Sequence, residues 1–120
     1  DYARFGQMLL NGGELDGARI LGRKSVDLML ANHTGDMLIP MTGLGFYFGL
    51  GAAVYHGREG KPQIRSPGTY GWGGAAGTTY FADPKEELMG LCFTQVTQAG
   101  AMPNNNYQET FQRMVYQSLA

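Results

Sequence analysis

At 120 residues the chain is one domain or part of one, long enough to bury roughly two-thirds of its unfolded surface. A formal net charge of -1 with 16% charged residues provides no basic face for nucleic acid or an anionic membrane. No apolar run approaches the ~20 residues of a membrane-spanning helix, and a single cysteine, Cys92, excludes an internal disulfide while leaving the compartment open.

The chain opens on Asp1 inside a helical pattern and is expected to be a piece of something longer. Tyr2, Phe5, Met8 and Leu9 recur at helical spacing, and Asn11-Gly12-Gly13 ends that helix. Glu14-Leu15-Asp16-Gly17 is a turn leading into Ile20-Leu21. A second helix is predicted from about Arg23 to Ala31, with Asp27 in its first turn as a dipole complement. His33 lies just past that helix, where an imidazole serves more readily as a partner for the C-terminal dipole than as a catalyst.

Residues 44–55, rich in aromatics and glycine, are expected to form a strand. His56 to Pro67 is a polar loop whose charges, Arg58, Glu59, Lys61 and Arg65, are either a solvated surface or a rim that selects substrates. Thr78 to Ala82 is a short strand, and Asp83-Pro84 begins a type I turn. Residues 88–96 are apolar nearly throughout, as in a strand covered on both faces, so the two runs make an antiparallel hairpin in the middle of a sheet. Cys92, among these apolar neighbours, is expected to be a buried, inert thiol. Asn104, Asn105 and Asn106 offer caps for a last helix with Tyr107, Phe111, Met114, Val115 and Leu119 as its apolar stripe. The class is α+β, helices laid on an antiparallel sheet, with no linker dividing the chain.

The centre of the sequence is Ser66 to Thr79. It holds the only tryptophan, Trp72, between glycines at 71, 73 and 74. Such glycine density means that another backbone or a ligand comes close. In extended chain Tyr70 and Trp72 share a face. The amides near residues 73–75 would then be unshielded, as an oxyanion site requires, and a tight bend at a sheet edge is the plainer reading.

Chemistry-bearing motifs are otherwise missing from these residues. Gly71-x-Gly73-x-x-Ala76 matches a dinucleotide fingerprint only formally, since neither a buried strand before it nor a helix after it is expected. No Walker loop, paired-cysteine zinc site, His-Glu-x-x-His, Gly-x-Ser-x-Gly or Ser-x-x-Lys occurs. By spacing alone the chain carries neither a nucleophile nor a general base, and could form at most half of an active site.

Residues 1–17, Leu44 to Gly51 and above all Tyr70-Gly-Trp-Gly-Gly-Ala-Ala-Gly-Thr78 with Asp83-Pro84 resemble the C-terminal part of the serine β-lactamase-like hydrolases. That family includes class C β-lactamases, related penicillin-binding proteins and their allied esterases, the last being the nearest. The resemblance implies the C-terminal portion of the transpeptidase-like fold and a serine acyl-transfer mechanism. Its Ser-x-x-Lys would come from a segment before residue 1 or from a complementary chain. Trp72-Gly73-Gly74 stands at the family's third motif, and its second oxyanion donor maps onto the Ala75 amide. Tyr70 and Trp72 would contact substrate. Because Trp72 replaces a cationic lysine or histidine, uncharged esters or amides are favoured over β-lactams and D-amino-acid peptides. No metal or organic cofactor is implied. The 120 residues by themselves are expected to be inactive. The alternative is a non-catalytic module that binds a partner or forms a homodimer through an exposed sheet edge and the Tyr70/Trp72 face.

Overall fold

The computed structural model describes residues 1–60, 62–97 and 106–119. These residues hold three helices and two antiparallel sheets: α1 (Tyr2–Leu10), β1 (Glu14–Leu15), β2 (Ala18–Arg19), α2 (Arg23–Leu30), β3 (Phe46–Phe48), β4 (Ala53–Tyr55), β5 (Tyr70–Gly74), β6 (Thr78–Asp83), β7 (Leu88–Phe93) and α3 (Tyr107–Gln117). The main sheet has five strands in simple sequence order, β3-β4-β5-β6-β7, beside a two-stranded β1-β2 ribbon. The α+β class and antiparallel sheet expected from the sequence are therefore observed. Among the described residues no helix is long and apolar enough to cross a membrane.

Local chemistry accounts for the connections. Asp16 and Gly17 both take positive φ, 51° and 78°, so Asp-Gly closes the β1-β2 ribbon with a turn whose twist matches its strands. The single strand expected over 44–55 is instead two strands joined at Gly49 to Ala52, where the Gly49 amide donates to the Ala52 carbonyl over 2.9 Å. The tip of that hairpin caps α2. The Leu50 amide donates to Met29 O at 2.7 Å, Tyr47 Oη to Leu30 O at 3.1 Å and His33 Nε2 to Leu28 O at 2.7 Å. The Met29 and Leu30 carbonyls, which the helix leaves unpaired, are thereby satisfied, Leu28 O is shared with the Ala31 amide at 3.3 Å, and His33 is the helix-end partner anticipated for it. Asp27 lies beyond the first turn, correcting its expected place, and pairs with Lys24 at 3.4 Å.

Side-chain parity puts Val54, Tyr70, Ala82 and Met89 on one face of the sheet, where Met8 and Leu9 of α1 and Val26 of α2 complete the core. The opposite face carries Tyr55, Phe81 and Asp83 and is covered by α3. There Phe81 stacks on Tyr116 with centroids 5.7 Å apart and meets Phe111 edge-on at 6.3 Å.

Further expectations need correction. β7 is an edge strand among the described residues rather than a central one, and its end is open, with Phe93 60% exposed and Cys92 half-buried. The buried residues of α3 are Gln112 and Tyr116, whereas Met114 and Leu119 are exposed, because the helix is turned to reach Arg65 and Asp83. Asn106 occupies the cap position of α3, but its side chain accepts from Thr110 Oγ1 at 3.3 Å rather than from a backbone amide. Asn104, Asn105 and Lys61 lie outside the described residues.

Candidate active site

The site builds up from β5. This strand pairs with β6 along its whole length, Tyr70 to Gly74, but with β4 only at Tyr70 and Gly71. Trp72, Gly73 and Gly74 therefore run past the end of β4. The glycines on this strand have structural reasons. A Cβ at Gly71 would collide with the Tyr80 carbonyl and sit 2.8 Å from Phe81 Cα, and one at Gly73 would lie 3.2 Å from Gln108 Nε2 of α3. Close backbone approach, one of the two readings of the glycine density, is thus realised at Gly71.

The second side of the strand is the open one. Trp72 and Tyr70 rise on the α1 face, where Tyr70 is almost completely buried and Trp72 half-buried, its indole edge-on to Phe48 at 4.8 Å. Together with Tyr80, Tyr2, Phe5 and Leu50 they line a cleft of about 60 Å³. Among the described residues, none that lines it carries a charge. Tyr2 and Phe5 are 46% and 43% exposed, which decides that the cleft opens to solvent beside α1. The hydroxyls of Tyr70 and Tyr80 are buried without a hydrogen-bond partner of good geometry among the described residues, although they approach one another. Burial pushes both phenols above their ordinary range, so at neutral pH both hydroxyls keep their protons.

Beyond Trp72 the chain turns at Gly74 to Gly77, closed by Gly77 N donating to Gly74 O at 3.0 Å. Ala75 and Ala76 are exposed at its crest. The Ala75 amide has no protein acceptor among the described residues. A free, exposed N–H that follows directly on Trp72-Gly73-Gly74 is available to an oxyanion.

Sequence reasoning named Tyr70, Trp72, Gly73, Gly74 and Ala75, and the fold places them consecutively along one strand and its turn. It missed Tyr80, which the register pairs with Trp72, and the contributions of Tyr2, Phe5 and Leu50. Counting outward from the Gly74 to Thr78 turn would have brought Tyr80 opposite Trp72. The hairpin that delivers Leu50 left no such signal. A larger cavity, about 280 Å³, lies elsewhere, under the 57–67 loop.

Two curated proteins of Mycobacterium tuberculosis are similar to this chain: the uncharacterized protein MT1414 of strain CDC 1551 / Oshkosh and protein Rv1367c of strain ATCC 25618 / H37Rv. Each is 36% identical over 104 residues, a match covering 79% of this chain and 26% of the relative. The chain thus spans about a quarter of the length of these relatives. No family model matches it.

Proposed function

We propose that this chain supplies one wall of the active site of a serine hydrolase that works through an acyl-enzyme. In this reading β5 and its turn provide the third motif and one oxyanion donor of a β-lactamase-like domain. The observation that carries it is a succession along β5 and its turn: Trp72 lines an uncharged aromatic cleft, and three residues on the Ala75 N–H has no protein acceptor among the described residues. An ester or amide carbonyl needs both, an apolar seat for the acyl group and a donor for the oxygen as it gains charge.

The cleft's chemistry narrows the substrate. Burying a carboxylate against Trp72, Leu50 and two neutral phenols, with no cation alongside, costs several kcal/mol. A neutral acyl group of a few carbons fits its size. The nucleophile and base lie outside these 120 residues on this reading, in a neighbouring segment of the same domain or a complementary chain.

The test is labelling with a serine-reactive fluorophosphonate. The whole protein should be labelled at a serine outside residues 1–120 and lose ester hydrolysis in proportion. The 120-residue chain by itself should neither label nor turn over esters. Hydrolysis that survives complete labelling would contradict the proposal.

A binding or oligomerisation module is the second reading, favoured by the apolar exposure of Phe93 and Met114 on β7 and α3. Absence of any fluorophosphonate-reactive serine in the whole protein would move the assignment to it.

A further inference from the structure

The cavity under the 57–67 loop opens on the α3 side of the sheet, where Tyr55 belongs, and not on the Trp72 side. Its lining includes two arginines, Arg58 and Arg65, and one carboxylate, Glu59. A volume of about 280 Å³ is close to the lower end, ~300 Å³, of pockets that hold small organic ligands.

Arg65 is the unusual member. Its guanidinium carbon stands 5.2 Å from the Phe46 ring centroid and 5.8 Å from that of Tyr55, so two aromatic faces hold it. Nη2 donates to Gln112 Oε1 at 2.5 Å, which fixes the rotation of the fork from α3. Among the described residues no carboxylate lies within ion-pair distance of Arg65, and its buried Nε has no acceptor. Burial lowers its pKa and more distant interactions with Tyr116, Tyr55 and Glu109 partly offset that, yet an arginine keeps its proton throughout the physiological range. Arg58, on the loop, also makes no ion pair among the described residues.

A permanently charged, immobilised guanidinium that makes no ion pair among the described residues is costly to maintain for folding alone. Its cost is offset when an anion enters. We propose that this cavity binds a small molecule through a carboxylate or phosphate group, held by Arg65 with Arg58 as the second cation. The aromatic faces beside Arg65 and its bond to Gln112 hold the fork in one orientation, as a site for an oxyanion requires. This site is independent of any acyl chemistry at β5.

The test is isothermal titration of the chain with inorganic phosphate and, separately, succinate at low ionic strength, with chloride at matched ionic strength as the control. Saturable one-to-one binding of either anion but not of chloride is expected. Phosphate alone would assign a phosphate ligand, and succinate alone a carboxylate. Arg58→Gln, an exposed loop change, should weaken binding about tenfold, the loss of one charge-assisted contact. Arg65→Lys, which keeps the charge but loses the fork, should weaken it at least as much. If Arg65→Lys does not fold, Arg58→Gln decides alone. Failure of both anions to saturate, or affinity unchanged in Arg58→Gln, would overturn the assignment.

Discussion

The Tyr116 hydroxyl donates a 2.6 Å hydrogen bond to Oδ2 of Asp83, a carboxylate with no exposed surface, and this bond ties the last helix to the sheet. The same carboxylate accepts from the Ser66 amide at 3.0 Å and, through Oδ1, from the Lys85 and Glu86 amides at 3.1 and 3.3 Å. One side chain therefore shapes the β6-β7 turn, anchors the chain before β5 and holds α3. Asp83→Ala is expected to cost about 3 kcal/mol or more, because it orphans several buried donors. Tyr116→Phe removes a single charge-assisted bond and should cost about 1–3 kcal/mol. In urea denaturation the double mutant should be less destabilised than the sum by about 1–2 kcal/mol, and full additivity would show that the bond is not a coupling.

Protonation of the same groups sets the pH range of stability. Burial by itself raises the Asp83 carboxyl, but the Tyr116 and Ser66 hydrogen bonds outweigh it and hold it below the usual carboxylate range. Since the unfolded carboxyl titrates near ~3.9, its contribution is complete above that pH and is lost as pH falls through the lower folded value. Tyr116, Tyr80 and Tyr70 behave in the opposite direction, each raised above its ordinary range chiefly by burial. The folded chain keeps phenolic protons that the unfolded chain releases above ~10, so stability should fall as pH rises past that point. Melting temperature against pH should then be level in between and drop at both ends. A rise at alkaline pH would contradict the burial of the tyrosines.

Gly71→Ala should be among the most harmful single changes on β5. The added Cβ meets the backbone of Tyr80 and Phe81, which cannot move without unpairing β5 from β6. An expected loss of about 2–3 kcal/mol follows from forced overpacking, read by thermal or chemical unfolding. A stability within experimental error of the parent would mean that the two strands are not so close.

Trp72 is the sole tryptophan, so its fluorescence reports on the cleft alone. Propionamide, neutral and small enough to enter, should shift or quench the emission saturably. Propionate, of nearly the same shape, should do so far more weakly, since the uncharged lining offers its carboxylate no partner. Equal responses to both would remove the charge argument for neutral substrates.

The parts of this fold that the sequence displays are those governed by short-range rules. The ends of α1 and α2, the Asp16-Gly17 turn and the pairing of β6 with β7 all rest on spacing and turn chemistry within a few residues. What could not be read depends on partners distant in sequence. Gln112 looks like a solvent residue until Arg65, 47 positions earlier, donates to it, and Tyr116 looks like any aromatic until Asp83 accepts its hydrogen bond. These two contacts rotate α3 away from the stripe that Met114 and Leu119 suggest. The split of residues 44–55 was hidden because Leu50, an apolar residue at a turn, is there to meet α2 and the cleft rather than to extend a strand. Of the candidate site, the β5 segment was legible from Trp72 and its glycines, while Tyr80, Tyr2 and Phe5 join it only through strand register and helix packing.

The most direct test of the central claim replaces one atom group. Ala75→Pro removes the N–H assigned to the oxyanion at the second position of the Gly74 to Gly77 turn, a place that accepts proline, after a strand residue whose extended backbone also suits it. With p-nitrophenyl acetate as substrate for the whole protein, kcat should fall about a hundredfold or more, with KM and melting temperature nearly unchanged. Equal kcat in the parent and in a folded Ala75→Pro variant would contradict the placement of the oxyanion donor at this turn.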